Sequence, residues 1–210
     1  APTVTLISPD EGNVTTNRTP EFSWSGSDPD GDDLEYEINL TCYEAGSVVT
    51  TGSLYVAKET LRANTSYYPD PQDYLKCLGD NNQYYNWSVR AWDGQNYSDW
   101  ADGRNITINS LITLTMKTDT ANFGSLNLSS KDNTTDNNPA PLVLSNDGNS
   151  EANISVNFTN LWSSESNPSQ YFQFKIRNTS ANCFVPQSTR TTWTNAPTIT
   201  TYAVNRLNFT

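Results

Sequence analysis

The stretch Tyr84-Tyr85-Asn86-Trp87-Ser88-Val89-Arg90-Ala91-Trp92-Asp93-Gly94 alternates bulky apolar with polar residues and ends in an Asp-Gly turn. Successive side chains of a strand point to opposite faces, so Tyr85, Trp87, Val89 and Ala91 share one face. Such a segment reads as a half-buried strand over a core. Trp92 has the opposite parity to Trp87, which exposes it or packs it under the following loop.

The same pattern recurs outward from this strand. Val4 and Leu6 open the chain, and Pro9-Asp10-Glu11-Gly12 turns it. Glu21 to Ser25 alternates around Phe22 and Trp24, and Asp28-Pro29-Asp30-Gly31-Asp32-Asp33 is the next turn. Leu34, Tyr36, Ile38 and Leu40 line one face of a strand, Val48 to Val56 holds one or two weaker ones, and Trp100 to Ile108 closes the half. A boundary near Asn109-Ser110 follows. Beyond it, strands are expected at Leu111–Met116, Phe123–Leu128, Leu142–Leu144, Asn153–Phe158, Tyr171–Ile176 and Thr198–Phe209, with loops at Ser129–Asn138 and Trp162–Gln170. No convincing amphipathic helix interrupts them. The expectation is an all-β chain of two tandem β-sandwich domains, 1–109 and 110–210. The second is light on strands and stops after Leu207 and Phe209 without a turn, so either the natural protein continues or a neighbour supplies a strand.

Composition narrows the function. Net charge is −11, with 12 Lys+Arg against 23 Asp+Glu. That leaves no basic patch for phosphates and disfavours nucleic acid and anionic membrane surfaces. No run of 18 apolar residues is present, so this segment is not expected to span a bilayer. Histidine is absent, which removes every Ser-His, Cys-His and metal-His arrangement. The acidic residues cluster in turns instead of lining a cleft as paired glycosidase carboxylates would. No catalytic residue is expected, and no cofactor is required. The chain starts Ala1-Pro2 with its single methionine at Met116, as expected after removal of a signal peptide or for a fragment of a longer protein.

Thirteen N-x-S/T sequons carry the strongest signal: Asn13, Asn17, Asn39, Asn64, Asn86, Asn96, Asn105, Asn127, Asn133, Asn153, Asn157, Asn178 and Asn208. The 26 Asn and 49 Ser+Thr would yield roughly six by chance. Several acceptors alternate with apolar neighbours, as Asn153 and Asn157 do with Ile154, Val156 and Phe158, which places them on outward faces. Acceptor asparagines in a secreted protein face water. Of the three cysteines, Cys42 and Cys77 lie in the first half and are candidates to pair there. Closing that loop contributes roughly 4 kcal/mol on the chain-entropy estimate. Cys183 is left over, either buried and free or bonded elsewhere.

Residues 3–108 resemble a fibronectin type III-like or cadherin-like domain of microbial surface proteins. The resemblance is carried by Ile7-Ser8-Pro9, Phe22-Ser23-Trp24, Ser27-Asp28-Pro29-Asp30-Gly31-Asp32, Leu34 with Tyr36, and Trp87-Ser88-Val89-Arg90-Ala91-Trp92-Asp93-Gly94. It implies that the tryptophan of the second strand fills the core. The second half is loosely similar to modules of archaeal secreted surface proteins, through Asn122-Phe123-Gly124-Ser125-Leu126, Leu144-Ser145-Asn146-Asp147-Gly148-Asn149 and Leu161-Trp162. In a fibronectin-like topology the Asp28–Asp33 loop and the Asp93–Asp99 loop share a pole. Asp28, Asp30, Asp32, Asp33 and Asp93 (or Asp99) are then candidate calcium ligands, because calcium takes six to eight oxygens. The alternative is a plain turn set by Asp, Pro and Gly. Trp24 and Trp87 are core candidates. Trp92, Trp100, Trp162 and Trp193 leave a carbohydrate platform as a weaker reading.

These features together point to a non-enzymatic, N-glycosylated structural subunit of an extracellular cell-surface filament or surface layer. Its partners would be copies of itself, and strand donation through Ala1–Ser8 or the last strand is a candidate mode of assembly. The alternative is an adhesin module that binds carbohydrate or depends on calcium.

Overall fold

Period-two alternation becomes paired sheets wherever bulky residues supply the inward face. A computed structural model of the chain describes residues 1–127, 129–159, 171–178, 183–186 and 189–209. The structure is mostly strand, with almost no helix, in several sheets. It divides into two units, Ala1–Ser110 and Leu111–Thr210.

The first unit runs β1 (Thr3–Ser8), β2 (Asn13–Thr15), β3 (Phe22–Ser27), β4 (Glu35–Glu44), β5 (Ser47–Val56), the one-turn helix α1 (Lys58–Leu61), β6 (Ser66–Tyr67), β7 (Gln83–Trp92) and β8 (Arg104–Ile108). One sheet has the order β1-β3-β6 and the other β2-β8-β7-β4-β5. Only β2 and β8 pair in parallel; the other pairings are antiparallel. Val48 to Val56 falls in the single strand β5. It is joined to β4 through Ala45 and Gly46, whose φ values of 47° and 81° give the two-residue hairpin that matches strand twist.

One core lies between the two sheets. Phe22 and Trp24 come from the smaller sheet; Tyr36, Ile38, Leu40, Tyr85, Trp87, Val89, Ala91, Ile106 and Ile108 come from the larger. Phe22 meets Trp87 edge-to-face at 5.1 Å between ring centroids, and Trp24 meets Tyr36 in the same way at 5.7 Å. Each such pair adds about 0.5–1.5 kcal/mol beyond area burial. The sheets approach closely at Gly26, where a Cβ would sit 2.5 Å from Tyr36 Oη.

Polar anchors hold the crossing segments. Tyr85 Oη donates to the Gly52 carbonyl at 2.8 Å and accepts from the Lys76 and Cys77 amides at 2.9 and 3.2 Å. Arg104 donates to the carbonyls of Leu6, Ile7 and Pro9, tying β8 to the end of β1. Cys42 and Cys77 form a disulfide, and both are buried. Cys183 is free.

The second unit contains β9 (Leu114–Thr118), β10 (Val143–Asn146), β11 (Ala152–Val156), β12 (Gln173–Phe174), β13 (Thr194–Asn195) and β14 (Thr201–Leu207). Among the described residues these form three two-stranded antiparallel sheets, β9 with β10, β11 with β14 and β12 with β13, not one sheet pair over a large core. Phe184, Ala203, Val204 and Leu207 are its main buried cluster. Asn146 is a buried polar anchor: Nδ2 donates to the carbonyls of Ser150 and Leu207, and Oδ1 accepts from the Gly148 amide. Two expected strands change here. Residues 123–127 form none, and Tyr171–Ile176 shrinks to the two residues of β12. The neighbouring Ser, Thr and Asn residues supply too little apolar area to hold longer pairings. Leu128, Leu161, the Trp162–Gln170 loop and Thr210 lie outside the described residues. Both candidate donor segments pair within their own unit, β1 with β3 and β14 with β11.

The disulfide gives a direct expectation. Denatured, unreduced protein should titrate one thiol per chain, that of Cys183. The double substitution Cys42→Ala/Cys77→Ala should lower the Tm of the first unit by roughly 10 °C or more, from a loss of about 4 kcal/mol. Three titratable thiols, or an unchanged Tm, would contradict the bond's presence or its role.

Candidate functional site

The outer face of the five-stranded sheet gathers most of the distinctive side chains of the first unit. Cross-strand partners share a face, and the register pairs Glu35 with Trp92, Glu37 with Arg90, Asn39 with Ser88, Thr41 with Asn86 and Tyr43 with Tyr84. On the flanks Tyr55 of β5 lies opposite Asn39, and Asn105 of β8 opposite Asn86.

Glu37 sits at one end of this face and is 5% exposed. Arg90 donates to its Oε2 from Nε at 2.8 Å and lies within 2.7 Å of it through Nη2. Tyr55 Oη donates to Oε2 at 2.8 Å and Tyr97 Oη to Oε1 at 3.0 Å. Arg90 in turn lies 3.9 Å from the Tyr97 ring centroid and 4.8 Å from that of Trp100. Lys58 lies 4.2 Å from the Trp92 ring, and Trp92 packs against Tyr97 of the following loop at 4.6 Å. The result is a ladder of alternating cations and rings, an arrangement worth more as solvent is excluded. Burial pushes the Glu37 carboxyl up, but hydrogen bonds from Tyr55, Arg90 and Tyr97, with the Arg90 charge, outweigh it and hold its pKa below the ordinary value.

Asn39, Asn86 and Asn105 share this sheet face, and the other sequons are spread over both units. Ten acceptors are exposed and three, Asn39, Asn86 and Asn105, are half-buried; none is in a core. At Asn17 and Asn39 the sequon threonine hydroxyl donates to the acceptor's own Oδ1, at 3.2 Å in each case. Thr135 Oγ1 does the same to Asn133. This engages the carbonyl oxygen and leaves Nδ2, the nitrogen that carries a glycan, directed elsewhere. Asn86 and Asn105 differ. Asn86 Nδ2 donates to Asn105 Oδ1 at 3.0 Å, and Asn105 Nδ2 donates to Glu11 Oε1 at 3.0 Å. Asn153 Oδ1 accepts from Tyr202 Oη and the Arg206 amide.

The acidic loop contains the hydrogen bonds of a turn. Asp28 Oδ1 accepts from the Asp30 amide at 2.8 Å, and its carbonyl from Gly31. Asp28 Oδ2 lies 3.9 Å from the Ala1 ammonium. Asp93 Oδ1 accepts from the amides of Gln95 and Asn96, which hold its pKa down. Asp30, Asp32, Asp33 and Asp99 are exposed. Among the described residues no three His, Cys, Asp or Glu side chains are gathered as a metal site. Trp24 and Trp87 are fully buried, Trp100 and Trp193 are partly exposed, and Trp162 lies outside the described residues. Trp193 has Lys175 above its ring at 4.6 Å.

Strand parity alone puts Glu37 and Arg90 outward, but it cannot say that they are opposite each other. That follows only from the β4–β7 register, so the Glu37 cluster is the feature that sequence reasoning missed. Comparison of the chain with protein-family models, curated proteins and solved structures finds no match.

Two outcomes follow. A carboxyl whose pKa is lower folded than unfolded contributes stability above its unfolded value and loses it as pH falls through the folded one. Glu37 should therefore steepen acid unfolding below about pH 4.5, its ordinary value. Glu37→Gln should cost about 2 kcal/mol near pH 7 and flatten that limb in a pH series of melting curves. An unchanged acid limb would remove Glu37 from it. In glycopeptide mapping, Asn17, Asn39 and Asn133 should be occupied, whereas the occupancies of Asn86 and Asn105 should sum to no more than one. They sit opposite each other on strands about 4.8 Å apart, and full occupancy of both would refute the steric argument.

Proposed function

We propose that this chain is a secreted, N-glycosylated, non-enzymatic structural subunit of an extracellular cell-surface assembly, a pilus-like filament or a surface layer. The observation that carries this reading is the surface position of all thirteen sequon asparagines across both units. Among the described residues the asparagines outside sequons are also kept out of the cores, Asn146 excepted. Surface position therefore permits glycosylation, and the excess of sequons over the roughly six expected by chance argues for it. The disulfide supports it, because such bonds persist in oxidising compartments. No helix among the described residues is long and apolar enough to cross a membrane.

The first unit is read as a fibronectin type III-like sandwich. The β1-β3-β6 sheet facing β2-β8-β7-β4-β5 supports this, as do the aromatic contacts between the sheets. The second unit is read as a sandwich completed by a neighbouring copy. Large apolar side chains on it stand open among the described residues, among them Ile112 at 54%, Met116 at 45%, Leu142 at 53% and Ile199 at 75% exposed. Exposed large apolar side chains in this number favour an interaction surface on this unit. In the first unit the ten-residue β5 is the terminal strand of its sheet. The Lys76–Cys77 segment covers it at Gly52, and edge strands accept further strands only where nothing covers them. Function on this reading is mechanical: stiff β-units stack, glycans shield their outer faces, and the disulfide limits unfolding.

Electron microscopy of native material with intact-mass analysis tests it. The expected result is regular filaments or a lattice, with a mass several kilodaltons above the 23.4 kDa polypeptide. A dispersed, unmodified monomer would remove both supports and favour a ligand-binding module.

A further inference from the structure

Asn39 and Tyr55 are cross-strand partners on β4 and β5. Directly opposite residues point to the same face, with Cβ atoms about 4.5–5.5 Å apart. Asn39 Oδ1 is held by Thr41, so its Nδ2 is the free end of the amide. Tyr55 is 55% exposed, yet its hydroxyl is fixed on Glu37 at 2.8 Å. It is therefore an open aromatic surface that does not swing freely.

Tyr55 is also one wall of an open groove of about 680 Å³, whose other lining includes Tyr67, Tyr68, Pro69, Asp70 and Thr60. Rings and prolines with a few hydroxyl and carboxylate groups are the mixture that a sugar site needs. A pyranose presents an apolar C–H face that lies against an aromatic ring, and equatorial hydroxyls that reach polar atoms.

We propose that the N-linked glycan on Asn39 folds back across the Tyr55 ring and into this tyrosine–proline groove, so that the first unit binds its own carbohydrate. The proposal rests on the glycosylation reading above and adds where one glycan goes. Tethering makes the binding intramolecular, with an effective concentration of order millimolar for a short flexible link. A contact too weak to capture free sugar then suffices. The preset Tyr55 ring lowers the ordering cost further. The bound glycan would cover the exposed Tyr55 near the end of β5 and the exposed Tyr68 after β6.

The test uses the full chain from a glycosylating host, with glycopeptide mapping at Asn39, melting curves and hydrogen exchange over 53–57 and 66–71. Asn39→Gln should lower the Tm of the first unit by roughly 3–6 °C and speed exchange in both segments. Tyr55→Phe, which keeps the ring but loses its hydroxyl bond to Glu37, should retain most of that difference between glycosylated and unglycosylated protein. In Tyr55→Ala and Tyr68→Ala backgrounds the difference should fall below about 1 °C. Tyr68 lies outside the hydrogen-bond set of Glu37, so it keeps the test sharp if Tyr55→Ala fails to fold. An unmodified Asn39 overturns the glycan reading at this site. An occupied Asn39 whose removal has the same effect in every background, or none on exchange, overturns the groove and leaves glycosylation standing.

Discussion

Two edge-to-face aromatic contacts hold the first unit together across its sheets, Phe22 on Trp87 and Trp24 on Tyr36. Everything else in that unit is arranged around the distance they set. The glycine at position 26 lets Tyr36 approach the smaller sheet. Residues at the same parity as Trp87, namely Tyr85, Val89 and Ala91, are drawn inward with it. The Tyr85 hydroxyl, carried into the core by that parity, needs partners, and finds them in Gly52, Lys76 and Cys77. The disulfide then fastens the same crossing segment to β4.

The parity that fills the core also fixes what the opposite face must carry. Glu37, Asn39, Arg90 and Asn86 have no choice but to face outward once Ile38, Trp87 and Val89 face in. A five-stranded sheet with one bare face would be an aggregation hazard, and this one is covered in two ways. At one end, a carboxylate with three side-chain donors and a stack of cations and rings makes a dense polar lid. Beside it on the same face lie the half-buried acceptors Asn39, Asn86 and Asn105, which on the glycosylation reading would carry carbohydrate.

How much of this was legible differs between the units for a physical reason. In the first, alternation is strong because bulky residues recur at every second position, so β7 could be read to within one residue and β3 to within two, while β4 runs four residues beyond the expected Leu40. The three-residue β2 and the two-residue β6 could not, since they exist only because Ile106 and Phe22 lie beside them. In the second unit, Leu111 to Leu126 has the apolar residues of strands but few partners, and only Leu114–Thr118 pairs. The candidate calcium residues show the same limit. Local sequence sets the Asp28 and Asp93 turns, which the structure contains. Convergence of those turns on one ion is a long-range property that spacing cannot carry. The Glu37 cluster was invisible for the same reason.

The placement of the acceptors bears on how such a chain would assemble. A glycan is bulky and hydrated, so the face that carries Asn39, Asn86 and Asn105 is a poor surface for close protein contact when it is modified. The apolar side chains left open by the second unit are the opposite case, since Ile112, Leu142 and Ile199 each stand half or more exposed, and burying the exposed part is favourable at about 25 cal/mol per Å². On the reading proposed here, the two units divide the labour. Carbohydrate keeps the outer sheet face of the first from associating, which directs association to the second unit. A homopolymer needs this asymmetry, because a subunit that is adhesive on every face aggregates and one shielded on every face stays single.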